Sequence, residues 1–208
     1  MASAQPLSPP PPRRRRGDVL VDAIFAATLD ELAAEGFAGL SIERIAERAR
    51  TGKASIYRRW PSRLDLVLDA LDSALPQLDE VPDTGSTRED LLIVLRLIAA
   101  AMSSRAGGAA RACLAPGTDD ELTGAIRERL LPGRKAAMLE VLRRGVARGE
   151  VRAEALTQRI AETGPMLLQG ELTQRGAITD EAVVAIVDEI LLPVLRPDPA
   201  AGGITLRS

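Results

Sequence analysis

The residues with the most chemistry to offer lie between Gly36 and Arg63. Arg44, Arg48, Arg50, Lys53, Arg58, Arg59 and Arg63 stand there against only Glu43 and Glu47, a local charge of +5 in a chain whose net charge is −2. Guanidinium and ammonium groups gathered on an otherwise acidic chain are an electrostatic footprint for phosphate. Lys53 and Tyr57 are four residues apart, so a helix sets them on one face. An ammonium there can hold a phosphate or read a guanine, while a phenol offers a hydroxyl to phosphate and a ring to a thymine methyl. Nothing comparable supports catalysis. Histidine is absent, which removes the commonest general base and metal ligand. Cys113 is the only cysteine, so neither an internal disulfide nor a cysteine cage is available. The remaining Asp and Glu scatter as helix-surface charges, and the composition predicts a non-enzyme with no catalytic residue, no cofactor and no metal.

Positioning that cationic cluster requires short elements. Ser41 can cap a helix with its hydroxyl, and Ile42, Ile45, Ala46 and Ala49 recur at helical spacing along one side of it. Arg50-Thr51-Gly52 breaks the period. A second helix runs from Lys53 to Arg59, and Pro61 forbids its continuation, because the residue before a proline is pushed out of helical geometry. Two short helices with a tight turn between them are the layout of a helix-turn-helix, whose second helix enters the major groove while the first crosses the DNA backbone.

Ile45-Ala46, followed by Lys53-Ala54-Ser55-Ile56-Tyr57-Arg58-Arg59-Trp60-Pro61-Ser62-Arg63, resembles the DNA-binding signature of the TetR family of bacterial transcriptional regulators. The chain departs from that signature at two positions: Arg50 stands where the family usually has glycine in the turn, and Gly52 stands where it usually has Ser or Thr capping the second helix. Gly52 is a tolerable cap, and Thr51 could cap one residue early. The resemblance implies that Thr51, Lys53, Ala54, Ser55, Tyr57 and Arg58 face DNA, with Arg44 and Arg63 positioning the domain on the backbone. Competing readings are a half-buried core role for Tyr57 and a merely solvated basic face for the arginines; Ile56 and Trp60 are the better core candidates.

Elsewhere the period is helical and no strand pattern occurs. Residues 1–12 are proline-rich and, with Arg13 to Arg16, read as a disordered arm that either touches phosphate or serves as a solubilising tail. Asp18 can cap helix one, which buries Leu20, Ile24, Ala27 and Leu32 and stops at Gly36; Phe37 and Leu40 plug the core beneath the reading helices. Ser62 to Asp65 form a capping-box variant ahead of a helix with Leu64, Val67, Leu68, Leu71 and Leu75 on one side. Residues 76–86 are loop. Thr87 to Asp90 cap a further, strongly apolar helix from Leu91 to about Met102; others follow from Asp119 to Arg148 with an interruption at Pro132-Gly133, from Ala155 to Arg175 with a kink at Gly164-Pro165, and, capped by Thr179, to the end of the domain. Between them Arg105 to Gly117 has room for at most one short helix. The expected fold is all-α with about nine helices: a three-helix helix-turn-helix domain with its connecting helix over 17–80, an effector-binding and dimerisation domain over 81–197, and a loose tail over 198–208.

Aromatic residues stop at Trp60, so any pocket in the second domain must be walled by aliphatic groups, methionine and backbone. Met102, Cys113, Met138, Thr163, Met166 and Gln169 are the candidate lining, with ordinary core filling as the competing role. The final helix carries apolar residues on more than one face, as a helix packed on both its own core and a partner needs, and by resemblance the last two helices form a dimer interface. With no apolar run near the roughly 18 residues that would suit a bilayer, and one lone cysteine, a cytoplasmic protein without a membrane partner is expected. The functional expectation is a homodimeric repressor that binds a palindromic operator in double-stranded DNA and is released by a small hydrophobic effector. The alternative is a helical nucleic-acid-binding module with neither sequence preference nor effector, whose binding would be governed by salt.

Overall fold

A computed structural model describes residues 12–76, 81, 83–114, 118–130 and 132–197. Among them helix is the only regular structure: α1 (Pro12–Gly39), α2 (Ile42–Arg48), α3 (Lys53–Tyr57), α4 (Arg63–Ala74), α5 (Thr87–Ser103), α6 (Arg105–Cys113), α7 (Asp120–Arg129), α8 (Pro132–Arg148), α9 (Gln158–Arg175) and α10 (Asp180–Ala185). The last of these continues through a π-helical segment (Ile186–Leu191) into a final α turn, α11 (Leu192–Leu195). The chain forms two compact units, Met1–Ser73 and Ala74–Ser208. The first eleven residues of the expected arm and the expected tail over 198–208 lie outside the described residues.

In the first unit, α1 begins earlier than the sequence suggests. Pro12 opens it, with φ preset for a first helical position, and the arginines that follow are good helix formers. Asp18 therefore lies inside the helix rather than capping it, and Arg13 to Arg16 have helical backbone rather than that of an extended arm. The helix breaks where expected: Gly36 has φ 67° and ψ 180°, a conformation open essentially to glycine alone. Ile24, Ala27, Leu32 and Leu40 are buried with Ile45, Ile56 and Trp60. Phe37 is only half-buried; its ring instead carries the Arg63 guanidinium, 5.5 Å from the centroid. Trp60 packs against Phe25, ring centroids 5.4 Å apart, and donates its indole N–H to Asp69 at 2.8 Å. Burial of the ring with its polar end satisfied holds the C-terminal side of α3 against α4.

The second unit is a helical layer around Leu91 and Leu95 of α5, Met138, Val141 and Leu142 of α8, Leu168 of α9 and Val187, Leu191 and Leu195 of the terminal rod. Ser86, not Thr87, caps α5, accepting from the Glu89 N–H. Thr87 is instead buried, and its N–H donates to Glu150 at 2.7 Å. Asp90, fully buried, accepts from the Thr84 N–H and hydroxyl at 2.9 and 2.7 Å and from Arg148 at 3.2 Å. These bonds staple the start of α5 to the end of α8. Below them α6 turns away from α5 through 76°. Gly107 permits that turn, since a Cβ there would stand 2.0 Å from the Ala101 carbonyl oxygen.

Helix α9 runs as one element through Pro165. In the terminal rod the Leu192 N–H reaches back five residues to the Val187 carbonyl, ahead of Pro193, which has no N–H to give. The wider π turn rotates the faces of the rod. Val183, Ile186, Val187, Leu191 and Leu195 are buried, whereas Ile190 and Val194 are exposed. No single described helix is long and apolar enough to cross a membrane.

Candidate functional site

Helices α2 and α3 hold the cationic cluster. Ser41 caps α2, accepting from the Arg44 N–H at 3.3 Å, and the helix buries Ile42, Ile45 and Ala46. The turn that follows is closed by the Thr51 N–H donating to the Ala46 carbonyl at 2.9 Å. Arg50 sits in that turn at φ 52°, the one non-glycine residue with positive φ among the described residues. The left-handed geometry that glycine supplies without strain is here imposed on an arginine. Gly52 is the N-cap of α3 and provides no side-chain cap; Thr51 does not cap in its place.

α3 buries Ile56 and presents Lys53, Ala54, Tyr57 and Arg58 to solvent, with Thr51 and Ser55 half-buried. Tyr57 is 51% exposed, so the core role considered for it does not describe its setting, and Ile56 and Trp60 fill the core instead. Lys53 donates to Glu43 on α2 at 2.7 Å. That hydrogen bond, with the attraction between the charges, raises the Lys53 pKa and lowers that of Glu43. Arg59 bonds the carbonyl and hydroxyl oxygens of Ser55 at 3.2 and 3.1 Å, stiffening α3 from its exposed side. At the next corner Ser62 and Asp65 exchange backbone N–H bonds of 3.2 and 3.1 Å, the capping box read from the sequence, which starts α4 and places Arg63 beside Phe37.

One organising residue escaped the sequence reading. Glu31 of α1 is 0% exposed; it pairs with Arg44 of α2, and Arg48 stands 3.8 Å from its second oxygen, which accepts no hydrogen bond. Arg44 also donates to the Gly39 carbonyl at 2.9 Å. The Arg44 guanidinium, half-exposed, is thus anchored to α1 and the α1–α2 corner. The signal available in the sequence was an acid interrupting the buried side of helix one between Thr28 and Leu32.

The family model described as "Bacterial regulatory proteins, tetR family" matches residues 24–70, and that described as "Tetracyclin repressor-like, C-terminal domain" matches residues 81–190. The chain belongs to the TetR family. It is a DNA-binding transcriptional regulator with a helix-turn-helix, and not an enzyme. An uncharacterised HTH-type transcriptional regulator of Mycobacterium tuberculosis is 31% identical over 92% of this chain and 93% of its own. The DNA-binding transcriptional repressor TetR of Mycobacteroides abscessus is 31% identical over 88% of this chain and 97% of its own. Among solved structures, a TetR family transcription regulator is 29% identical over 86% of this chain and 100% of its own, with a TM-score of 0.63.

The second unit of this TetR-family chain contains a cavity of about 130 Å3 bounded by α5, α6, α7 and α9. Of the six candidate lining residues, Met102 and Gln169 border it. Cys113 and Met138 do not border it and are fully buried in the packing; burial pushes the Cys113 thiol up to about 11. Thr163 is half-buried and donates to the Arg159 carbonyl at 3.0 Å. Met166 is 69% exposed on α9. Ile98, Ile126, Leu130 and Arg111, not singled out from the sequence, complete much of the wall. They come from α5, α6 and α7 with its C-cap, and only packing assembles them. No group of acids and cysteine suited to a metal ion occurs among the described residues.

Proposed function

We propose that this regulator is a homodimeric repressor that reads a palindromic operator with α3 and is released by a small hydrophobic effector. Residues 17–80 serve as the reading domain with its connecting helix, and residues 81–197 bind the effector and the second subunit. The observation that carries DNA recognition is the exposed face of α3, where Lys53, Ala54, Tyr57 and Arg58 lie outside the core while Ile56 anchors the helix. Lys53 holds phosphate or guanine, Tyr57 contacts phosphate or a thymine methyl, and Ala54 permits close approach, with Thr51 and Ser55 beside them. Arg44 and Arg63 fix the domain on the backbone, since most such contacts go to phosphate.

Dimerisation through the last two helices is supported by the exposed Met166 on α9 and Ile190 and Val194 on the terminal rod, large apolar groups left at the surface. A twofold dimer sets its reading helices about 34–36 Å apart, or a multiple of that. The aliphatic cavity supports an effector that favours a conformation with the heads wrongly spaced, by no more than its differential affinity for the two states. A relative named as a repressor supports that sign of regulation. The site of action is the cytoplasm, where the operator lies.

Selection of the purified protein against random double-stranded DNA tests the reading. The expected result is a palindrome with fixed half-site spacing. Enrichment without a consensus would instead establish a nonspecific nucleic-acid binder, with the strained Arg50 turn as its structural cause.

A further inference from the structure

We propose that the cavity of the second unit takes a short aliphatic carboxylate, with Arg111 receiving its charge. This rests on the ligand-responsive reading above and gives that ligand its chemical class. The volume, about 130 Å3, is close to that of an engineered apolar cavity of roughly 150 Å3 that holds benzene. Leu75, Ile98, Ile126 and Leu130 give the wall its character. No aromatic residue follows Trp60, so nothing is available for a flat ring to stack on, and a flexible alkyl body suits these branched side chains better.

Arg111 of α6 is the one charged residue on this wall among the described residues, and it is half-buried. Its Nη1 donates to the Met102 carbonyl at 2.8 Å and to the Gly107 carbonyl at 3.4 Å. Both acceptors are neutral, so they fix the guanidinium in place and leave its charge uncompensated. Arg44, Arg88, Arg96, Arg144 and Arg148 each have a carboxylate partner; no described carboxylate pairs with Arg111. A guanidinium has five N–H donors in a planar fork, and the two bonds to carbonyls occupy only one of its three nitrogens. Charge at an apolar wall costs free energy until something compensates it. A carboxylate does so best, accepting parallel N–H bonds from the fork. Gln169 brings a neutral amide to the same wall, held by a 3.2 Å bond to the Thr173 hydroxyl.

Isothermal titration of the full chain with hexanoate, 1-hexanol, hexylamine and acetate, alongside thermal unfolding, tests the site. Hexanoate is expected to bind about tenfold or more tightly than 1-hexanol, because charge-assisted hydrogen bonds are roughly twice as strong as neutral ones. Acetate, lacking the alkyl body, and hexylamine, carrying the wrong charge, are expected to raise the unfolding temperature least. Arg111→Gln is expected to bring hexanoate and 1-hexanol to within about twofold of each other, and Arg111→Lys to keep a preference for the acid. Equal or better binding of the alcohol by the native chain, or no binding of any probe, overturns the proposal whether or not the variants fold. So does an undiminished acid preference in a folded Arg111→Gln. The operator consensus separates this from the regulatory reading. Carboxylate binding that leaves operator affinity unchanged upholds the site and removes its role as effector pocket. Operator binding without carboxylate binding removes the site and leaves the regulator.

Discussion

Replacing Arg50 by glycine should stabilise the first unit. At φ 52° Arg50 holds the left-handed conformation, which costs an L-residue with a Cβ about 1–2 kcal/mol. Glycine removes that strain but widens the unfolded ensemble, giving back about 0.4–1 kcal/mol. Taking the middle of each range, about 1.5 and about 0.7 kcal/mol, the net gain is about 0.8 kcal/mol. Trp60 is the only tryptophan and is buried in this unit, so its fluorescence during urea unfolding follows the right part of the chain. With a slope of about 1 kcal/mol per molar for a unit this small, the midpoint should rise by roughly 0.8 M at constant slope. Two further variants separate backbone strain from charge. Arg50→Ala removes the guanidinium but keeps a Cβ at positive φ, and should gain little. Gly36→Ala forces a Cβ onto φ 67°, ψ 180° with open space around it, so it should lose about 1–3 kcal/mol on backbone grounds alone. If Arg50→Ala stabilises as much as Arg50→Gly, repulsion among the neighbouring arginines is the cause and the strain argument is wrong; an unmoved or lowered midpoint in Arg50→Gly refutes it outright.

Tyr57→Ala and Lys53→Ala should each weaken binding to the selected operator by about 1–3 kcal/mol in fluorescence anisotropy, with an unchanged far-ultraviolet spectrum; full affinity in both would remove α3 as the reading helix. Glu31→Gln should cost the first unit about 1–3 kcal/mol by the same Trp60 assay, because it discharges a fully buried partner of the half-exposed Arg44 and Arg48, and an unchanged midpoint would show that the pair contributes nothing. Asp188 and Asp180 are held below the ordinary carboxylate range by hydrogen bonds from Arg88 and Arg96, and Glu150 by its bonds to Thr87. Their stabilisation is present above the unfolded-state values and is lost as pH falls through the folded ones. The second unit should therefore weaken below about pH 4 in circular-dichroism melts, less so in Asp188→Asn, whereas a flat profile to pH 3 would contradict the assignment. Cys113, with its thiol at about 11, should resist a disulfide reagent at pH 8 in the native protein and react once urea unfolds it; rapid native labelling would mean that this part of the second unit opens readily.

Much of the reading head was legible because its determinants are local. The Ser41 cap, the Ser62–Asp65 box, the helix-ending Gly36 and the burial of Ile56 and Trp60 beside an exposed Tyr57 each follow from residues within a turn or two of one another, where short-range sterics and hydrogen bonds decide. Period alone announced an all-helical chain with an amphipathic last element. What the sequence could not supply were pairings between distant positions. Glu31 becomes the anchor of Arg44 only once α1 and α2 have packed, and a carboxylate on a helix otherwise reads as a surface charge. Gly107 looks like a helix breaker until α6 folds back so closely on α5 that any Cβ would strike the Ala101 carbonyl. The wall of the cavity is likewise shared among α5, α6, α7 and α9. That is why Met102 and Gln169 proved to border it, while Cys113 and Met138, chosen on residue type, are buried away from it and Met166 faces outward. A helical period tells which side of a helix is apolar; which neighbour covers that side, and where the fit leaves a gap, depends on side-chain volumes meeting across elements far apart in the chain.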